Sequence, residues 1–260
     1  MHLLDYHHGR ANLCTYEEKD RPPYAILSHT WGDDDDEVTY RDVKDGTGKK
    51  KPGYDKISFC AQQASIDNLE FFWIDTCCIQ KENLVELSEA ITSMFRWYQE
   101  AKVCYVSLTD VEYGSDKGHA KRGQPWEKAF LRSRWFTRGW TLQELIAPST
   151  VQFFSVEGIL LGDRHSLSDL ICEATGLPVG ILKGGSLSDY DPIHKFQWVG
   201  TRRTRRGEDM AYSLMGIMGV SLPMNYGEGR EHANERHDRD TKDKQQSNEY
   251  GLISRAHSIS

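Results

Sequence analysis

Among the six cysteines, Cys14, Cys60, Cys77, Cys78, Cys104 and Cys172, there is no Cys-x-x-Cys pair and no Cys/His array of the zinc type. That spacing argues against a zinc module or a thioredoxin-like centre. Most of these thiols lie inside apolar runs, where free cysteine packs as a small hydrophobe. No apolar run approaches the roughly 18 residues that a membrane span requires. Asp5, His7, His8 and Arg10 stand where a secretory signal would need an apolar segment, and no Asn-x-Ser/Thr acceptor occurs. The expectation is a reduced, soluble, cytoplasmic protein with no membrane span. Basic charge is also short: 32 Lys and Arg against 39 Asp and Glu give a net charge of −7. General nucleic-acid binding, which needs a basic surface, is therefore not expected. Hydrophobic residues are sparse at 38%, but 11% aromatics is enough for a core.

The apolar residues that are present fall into a pattern. Tyr24 to His29, Phe71 to Asp75, Val103 to Leu108 and Thr150 to Phe154 read as buried strands. Between them, residues 54–69 and 84–98 carry apolar positions at three- and four-residue spacing, with Asn83 placed to cap the second helix. This alternation predicts an α/β fold: a parallel sheet of four to five strands flanked by helices, with a mostly helical C-terminal part. The expected organisation is a polar lead-in over residues 1–23, an α/β core over 24–155, a helical extension over 156–229, and a charged, disordered tail over 230–260. Gly114 to Gln124 reads as a polar loop, and the acidic run Asp33 to Glu37 as a solvated one.

In open parallel sheets, ligands bind beyond the carboxyl ends of the strands, at a switch in strand order. Three polar groups fall at such ends. Ser28, His29, Thr30 and Trp31 follow the first strand, Asp75 and Thr76 the second, and the stretch Ser133 to Pro148 lies beyond the third. This last stretch reads as a helix from Thr137 to Ala147, with Trp140 and Glu144 sharing a face. Two readings stand for it. Glu144 pairs with Arg138 or Arg134 while Trp140 packs, or the carboxylate and the indole meet a flat ligand. His29 reads as a hydrogen-bonded structural histidine, because no nucleophile pattern accompanies it. Asp75 either caps the following turn or contacts a ligand. Arg202, Arg203, Arg205 and Arg206 form a surface patch suited to phosphate or an acidic partner.

The blocks Tyr24–Gly32, Phe72–Ile79, Leu87–Tyr98, Ser133–Pro148, Arg205–Gly216 and Tyr226–Gly229 resemble, in this order, the heterokaryon incompatibility (HET) domain of filamentous fungi. The resemblance implies a role in allorecognition, in which fusion of unlike cells triggers programmed cell death. HET domains in turn resemble, distantly, TIR domains, and Trp140 to Leu145 is similar to the TIR helix motif whose glutamate is catalytic in NAD-cleaving members. Carried over, Glu144 becomes the expected catalytic residue, and Ser28, Trp31, Asp75, Arg134, Arg138 and Trp140 the expected substrate-binding set. NAD would be the substrate, with no cofactor and no metal. The alternative is a non-catalytic TIR-like signalling module that works by self-association or with another incompatibility protein. The family pattern continues past Gly229 as an amphipathic helix, which the charged run from Arg230 leads one to expect is missing.

Overall fold

The computed structural model describes residues 1–114 and 124–257, with side chains described to residue 246. The loop expected at Gly114 to Gln124 lies, apart from its two end residues, outside the described residues.

The chain opens with a hairpin, β1 (His2–His7) and β2 (Arg10–Thr15). His8 and Gly9 both take positive φ, 52° and 73°, as a two-residue turn between right-twisted strands requires. Next comes β3 (Tyr24–His29), buried along its whole length. Helix α1 (Tyr40–Asp45) starts at a reciprocal Thr39/Asp42 capping box, and α2 (Tyr54–Ile66) leads to β4 (Phe71–Trp73). The single turn α3 (Asp75–Cys78) precedes α4 (Leu84–Glu100), which Asn83 caps as its sequence predicts. Then follow β5 (Val103–Ser107), α5 (Glu127–Leu131), α6 (Thr141–Ile146), β6 (Val151–Phe154) and β7 (Leu160–Asp163). The C-terminal part is helical: α7 (Ser168–Thr175), α8 (Val179–Leu182), α9 (Pro192–Gln197), α10 (Asp209–Met218) and α11 (Arg230–His257).

The strands form one sheet in the order β2-β1-β4-β3-β5-β6-β7. Strands β4, β3, β5 and β6 are parallel, while the hairpin and β7 add antiparallel edges. The sheet is thus mixed and seven-stranded, not a purely parallel sheet of four to five strands. The added strands lie at the edges and carry few core residues. Only Leu3, Leu4 and Ala11 of the hairpin are buried, too few to stand out as an apolar run. The parallel centre matches the sequence reading because strands covered on both faces read as continuous apolar stretches.

Residues 1–23 are accordingly a paired edge of the sheet in large part, not an irregular lead-in. The tail also differs from expectation. Helix α11 begins at Arg230 and lays Ala233, His237 and Thr241, at successive i, i+4 positions, in a buried row. Ala233 packs with Ala211, Tyr212 and Met215 of α10. Arg236 forks onto Glu228, its Nε 3.0 Å from Oε2. On its other side α10 meets α4 so closely that a Cβ on Gly216 would lie 2.1 Å from Cβ of Phe95. Helices α4, α10 and α11 therefore pack in succession.

Candidate functional site

After β3 turns to one side to form β4, the chain crosses over β3 to form β5 on the other. The switch point therefore lies at the end of β3, where Ser28 and His29 stand. Ser28 is fully buried and joins two distant segments. Its Oγ donates to Oε2 of Glu144 and accepts the Trp135 indole N–H at 2.8 Å.

The segment that supplies Trp135 and Glu144 is not the continuous helix its sequence predicts. A 3-10 turn, Arg134–Thr137, precedes a break at Arg138 to Trp140, and α6 starts only at Thr141. Thr137 does not cap it; its hydroxyl donates back to the Arg134 carbonyl at 2.7 Å. The break arises because Arg138 and Gly139 pair instead with Arg203: the Arg203 N–H donates to the Thr137 carbonyl at 2.7 Å and the Gly139 N–H to the Arg203 carbonyl at 2.8 Å. A Cβ on Gly139 would lie 2.4 Å from Cγ2 of Thr204, so the approach needs glycine there. Buried Arg202 clamps the start of α6 by donating to the Arg138 carbonyl at 3.1 Å and to Thr141 Oγ1 at 2.9 Å.

These contacts fix Glu144 at a cavity of about 510 Å³. Leu87, Ile91, Met94 and Tyr98 of α4 form its apolar side; Trp31, Asp75, Trp140, Asp209 and Tyr226 supply aromatic and acidic groups; and Arg138, Arg203, Arg205, Arg206 and Lys81 supply positive charge. Trp31 is fixed by its indole N–H, which donates to Asp75 Oδ2 at 2.7 Å, while the Lys81 ammonium sits 3.7 Å from its ring centroid. Asp209 accepts from the Tyr226 hydroxyl at 2.9 Å, and burial raises its pKa, with the Tyr226 and Trp140 side chains opposing. Arg206 lies over the Tyr226 ring at 4.2 Å.

Burial pushes the Glu144 carboxyl up to about 8, with the Asp75 charge adding to it and the Ser28 hydrogen bond, Arg138 and Arg202 opposing. Burial drives His29 the other way, to about 4, so the ring is neutral at pH 7. Its nitrogens lie 3.8 Å from Asp75 Oδ1 and 3.9 Å from Glu37 Oε2, beyond hydrogen-bond reach. The expected hydrogen-bonded structural role is therefore not met: Nε2 is buried without a partner among the described residues, and the ring lines the cavity. Glu37 departs from the solvated acidic run: it is buried, accepts the Gly32 N–H at 2.6 Å and pairs with Lys56.

Of the residues singled out from sequence, Ser28 and Glu144 meet directly, Trp31 and Asp75 meet directly, and Arg138 and Trp140 line the same cavity. Arg134 does not reach it. It points outward with its Nε 3.6 Å from Asp110 Oδ2, and it lines a smaller neighbouring cavity. Glu144 bonds Ser28 and forms no ion pair with Arg138 or Arg134. Lys81, Asp209 and Tyr226 belong to the site and went unread as site residues. The signals for this part of the wall were the arginine cluster ahead of α10 and the family-like blocks Arg205–Gly216 and Tyr226–Gly229. Among the described residues no group of three or more His, Cys, Asp or Glu could hold a metal ion, and no helix is long and apolar enough to cross a membrane.

The family model described as "Heterokaryon incompatibility protein (HET)" matches residues 24–124. The chain is also 57% identical over 215 residues to the vegetative incompatibility protein HET-E-1 of Podospora anserina, a match covering 83% of this chain and 16% of that protein's length. The chain thus spans only a small part of that relative. No solved structure matches it. On the family match and this identity, the chain belongs to the heterokaryon incompatibility (HET) family.

Proposed function

We propose that this chain is the effector part of a vegetative incompatibility protein, acting in the cytoplasm to trigger cell death by hydrolysing NAD at the nicotinamide–ribose bond. The observation that carries this reading is the placement of Glu144. It is a buried carboxyl held by the Ser28 hydroxyl, at a cavity walled by indoles and arginines, beyond the carboxyl end of the central strand. A distant TIR-like ancestry belongs to the same reading. The parallel strands run second, first, third, fourth across the sheet, a doubly wound order.

In this mechanism Trp31, oriented by Asp75, takes the cationic nicotinamide ring on its face. Arg206 meets the diphosphate. As the C1′–N bond breaks, positive charge builds on the ribose, and ionised Glu144 stabilises it at short range in a site screened from water. Nicotinamide leaves with the bonding electron pair. Water adds to C1′ and releases one proton, giving ADP-ribose. Ionising Glu144 costs free energy in the empty site, and a bound cationic ring lowers that cost.

The test is nicotinamide release from NAD by the full chain, beside Glu144→Gln and Glu144→Ala. The full chain is needed because α11 covers α10. Release by wild type alone supports the reading; release by both variants would move the role to Asp75. A second reading, self-association without catalysis, draws on Leu84 and Val85, which begin α4 with 75% and 79% of their surface exposed. It predicts that cell killing survives Glu144→Ala and is lost with Val85→Glu.

A further inference from the structure

A second cavity of about 430 Å³ adjoins the first and shares with it a wall made of Trp31, Arg138, Arg203, Thr204 and Arg205. The two differ in charge. The first sets the carboxylates of Asp34, Asp75 and Asp209, with the Glu144 carboxyl beside them, against its five cationic side chains. The second is lined by four arginines and by no carboxylate, with the hydroxyls of Thr30, Thr137 and Thr204 among its other groups.

Two of its arginines are engaged. Arg205 forks onto Asp34 at 2.6 and 2.8 Å, and Arg134 lies near Asp110. Arg138 and Arg203 have no carboxylate within 4 Å among the described residues, although the backbone pairing at Gly139 sets them side by side. Adjacent like charges repel, and an anion between them removes that cost.

We propose that the second cavity binds a phosphate monoester on the far ribose of the dinucleotide, so that the preferred ligand is NADP+ and not NAD+. This rests on the reading of the first cavity as the site of the nicotinamide ribose. A phosphate monoester is close to a dianion at pH 7 and offers three acceptor oxygens, which suits two unpaired guanidinium forks. An unmodified ribose diol calls instead for a carboxylate acceptor, as dinucleotide sites that select NAD provide. The second cavity has none. Its shared wall lets one ligand extend from Glu144 into the arginine-lined space.

The experiment is calorimetric titration of the full chain carrying Glu144→Gln, so that no ligand is consumed, with NADP+, NAD+, 2′,5′-ADP and 5′-AMP. NADP+ is expected to bind at least about tenfold more tightly than NAD+, and 2′,5′-ADP to exceed 5′-AMP in the same sense. Adding Arg203→Ala should bring the NADP+/NAD+ ratio to within about twofold, and Arg134→Glu, at an exposed position that folding tolerates, should lower it as well. Equal affinity for the two dinucleotides, or a preference that survives both substitutions, overturns the proposal. Binding of neither dinucleotide overturns it together with the dinucleotide reading. An arginine-dependent preference in a protein that releases no nicotinamide upholds this proposal and counts against hydrolysis alone.

Discussion

Ser28 and Glu144, 116 residues apart in sequence, are joined by a buried hydrogen bond that ties the end of the central strand to α6. The same Ser28 oxygen accepts the Trp135 indole N–H at 2.8 Å. Ser28→Ala should therefore leave a buried donor unpaired and lower stability by about 1–3 kcal/mol. In a Trp135→Phe background that donor is already gone, and the further loss on Ser28→Ala should be less than half as large. Chemical denaturation of the two singles and the double checks this. Equal losses in both backgrounds would mean that the shared oxygen does not couple the two side chains.

Glu144 should make stability depend on pH. Its folded-state pKa of about 8 exceeds the ordinary 4.5, so the native protein keeps a proton that the unfolded chain releases. The contribution is full below about pH 4.5 and is lost as pH rises through 8. Glu144→Gln imitates the protonated form and should open a stability gap over wild type across that window. From the size of the shift the ceiling is about 5 kcal/mol, and relaxation of the site should bring the observed gain nearer 2–3. Melting curves from pH 5 to 9 test it, and a gap independent of pH contradicts it.

The same group sets the expected rate profile. If the ionised carboxylate acts on the ribose, only about a tenth of the free protein is competent at pH 7. The ratio kcat/KM should rise tenfold per pH unit and level off near 8. Because the Ser28 bond favours the ionised form, Ser28→Ala should move the inflection to higher pH. A profile falling over pH 6–8 would assign Glu144 the role of an acid.

Much of this site was legible because it stands on strand ends. Ser28, Trp31 and Asp75 follow apolar runs whose burial on both faces made the strands plain, and topology then brings their ends together. Trp140 and Glu144 were legible as a pair, although the break at Gly139 depends on pairing with Arg203, and no local signal carries that. Asp209 and Tyr226 enter from the helical extension, for which no rule links sequence position to the switch point. Helix α11 was missed for a compositional reason. Its buried row is Ala233, His237 and Thr241, correctly spaced but neither large nor strongly apolar.

Lys81 occupies the face of Trp31 at 3.7 Å, where a cationic ring is expected to stack. Removing it with Lys81→Ala should free that face and tighten binding of nicotinamide mononucleotide by about threefold to tenfold, the range of a partly exposed cation–π contact. The reduced mononucleotide, whose ring is neutral, should gain much less. No change for the oxidised ligand would remove Trp31 as its platform.

Helix α11 should be needed to hold the far wall of the cavity. It packs Ala233 on α10, and its Arg236 grips Glu228, next to the loop where Glu208 accepts the Gly227 and Gly229 N–H groups at 3.0 and 3.1 Å. That loop presents Tyr226 to Asp209. Ala233 has no exposed surface, so Ala233→Arg must push α11 off α10 and should cost about 2–4 kcal/mol. Lys242→Gln, on the exposed side of the same helix, should cost less than about 0.5. Hydrogen exchange should quicken in Ala233→Arg at residues 222–229 as well as in α11, because the loop loses its Arg236 anchor. Faster exchange confined to α11 would mean that the loop and Tyr226 stand without it.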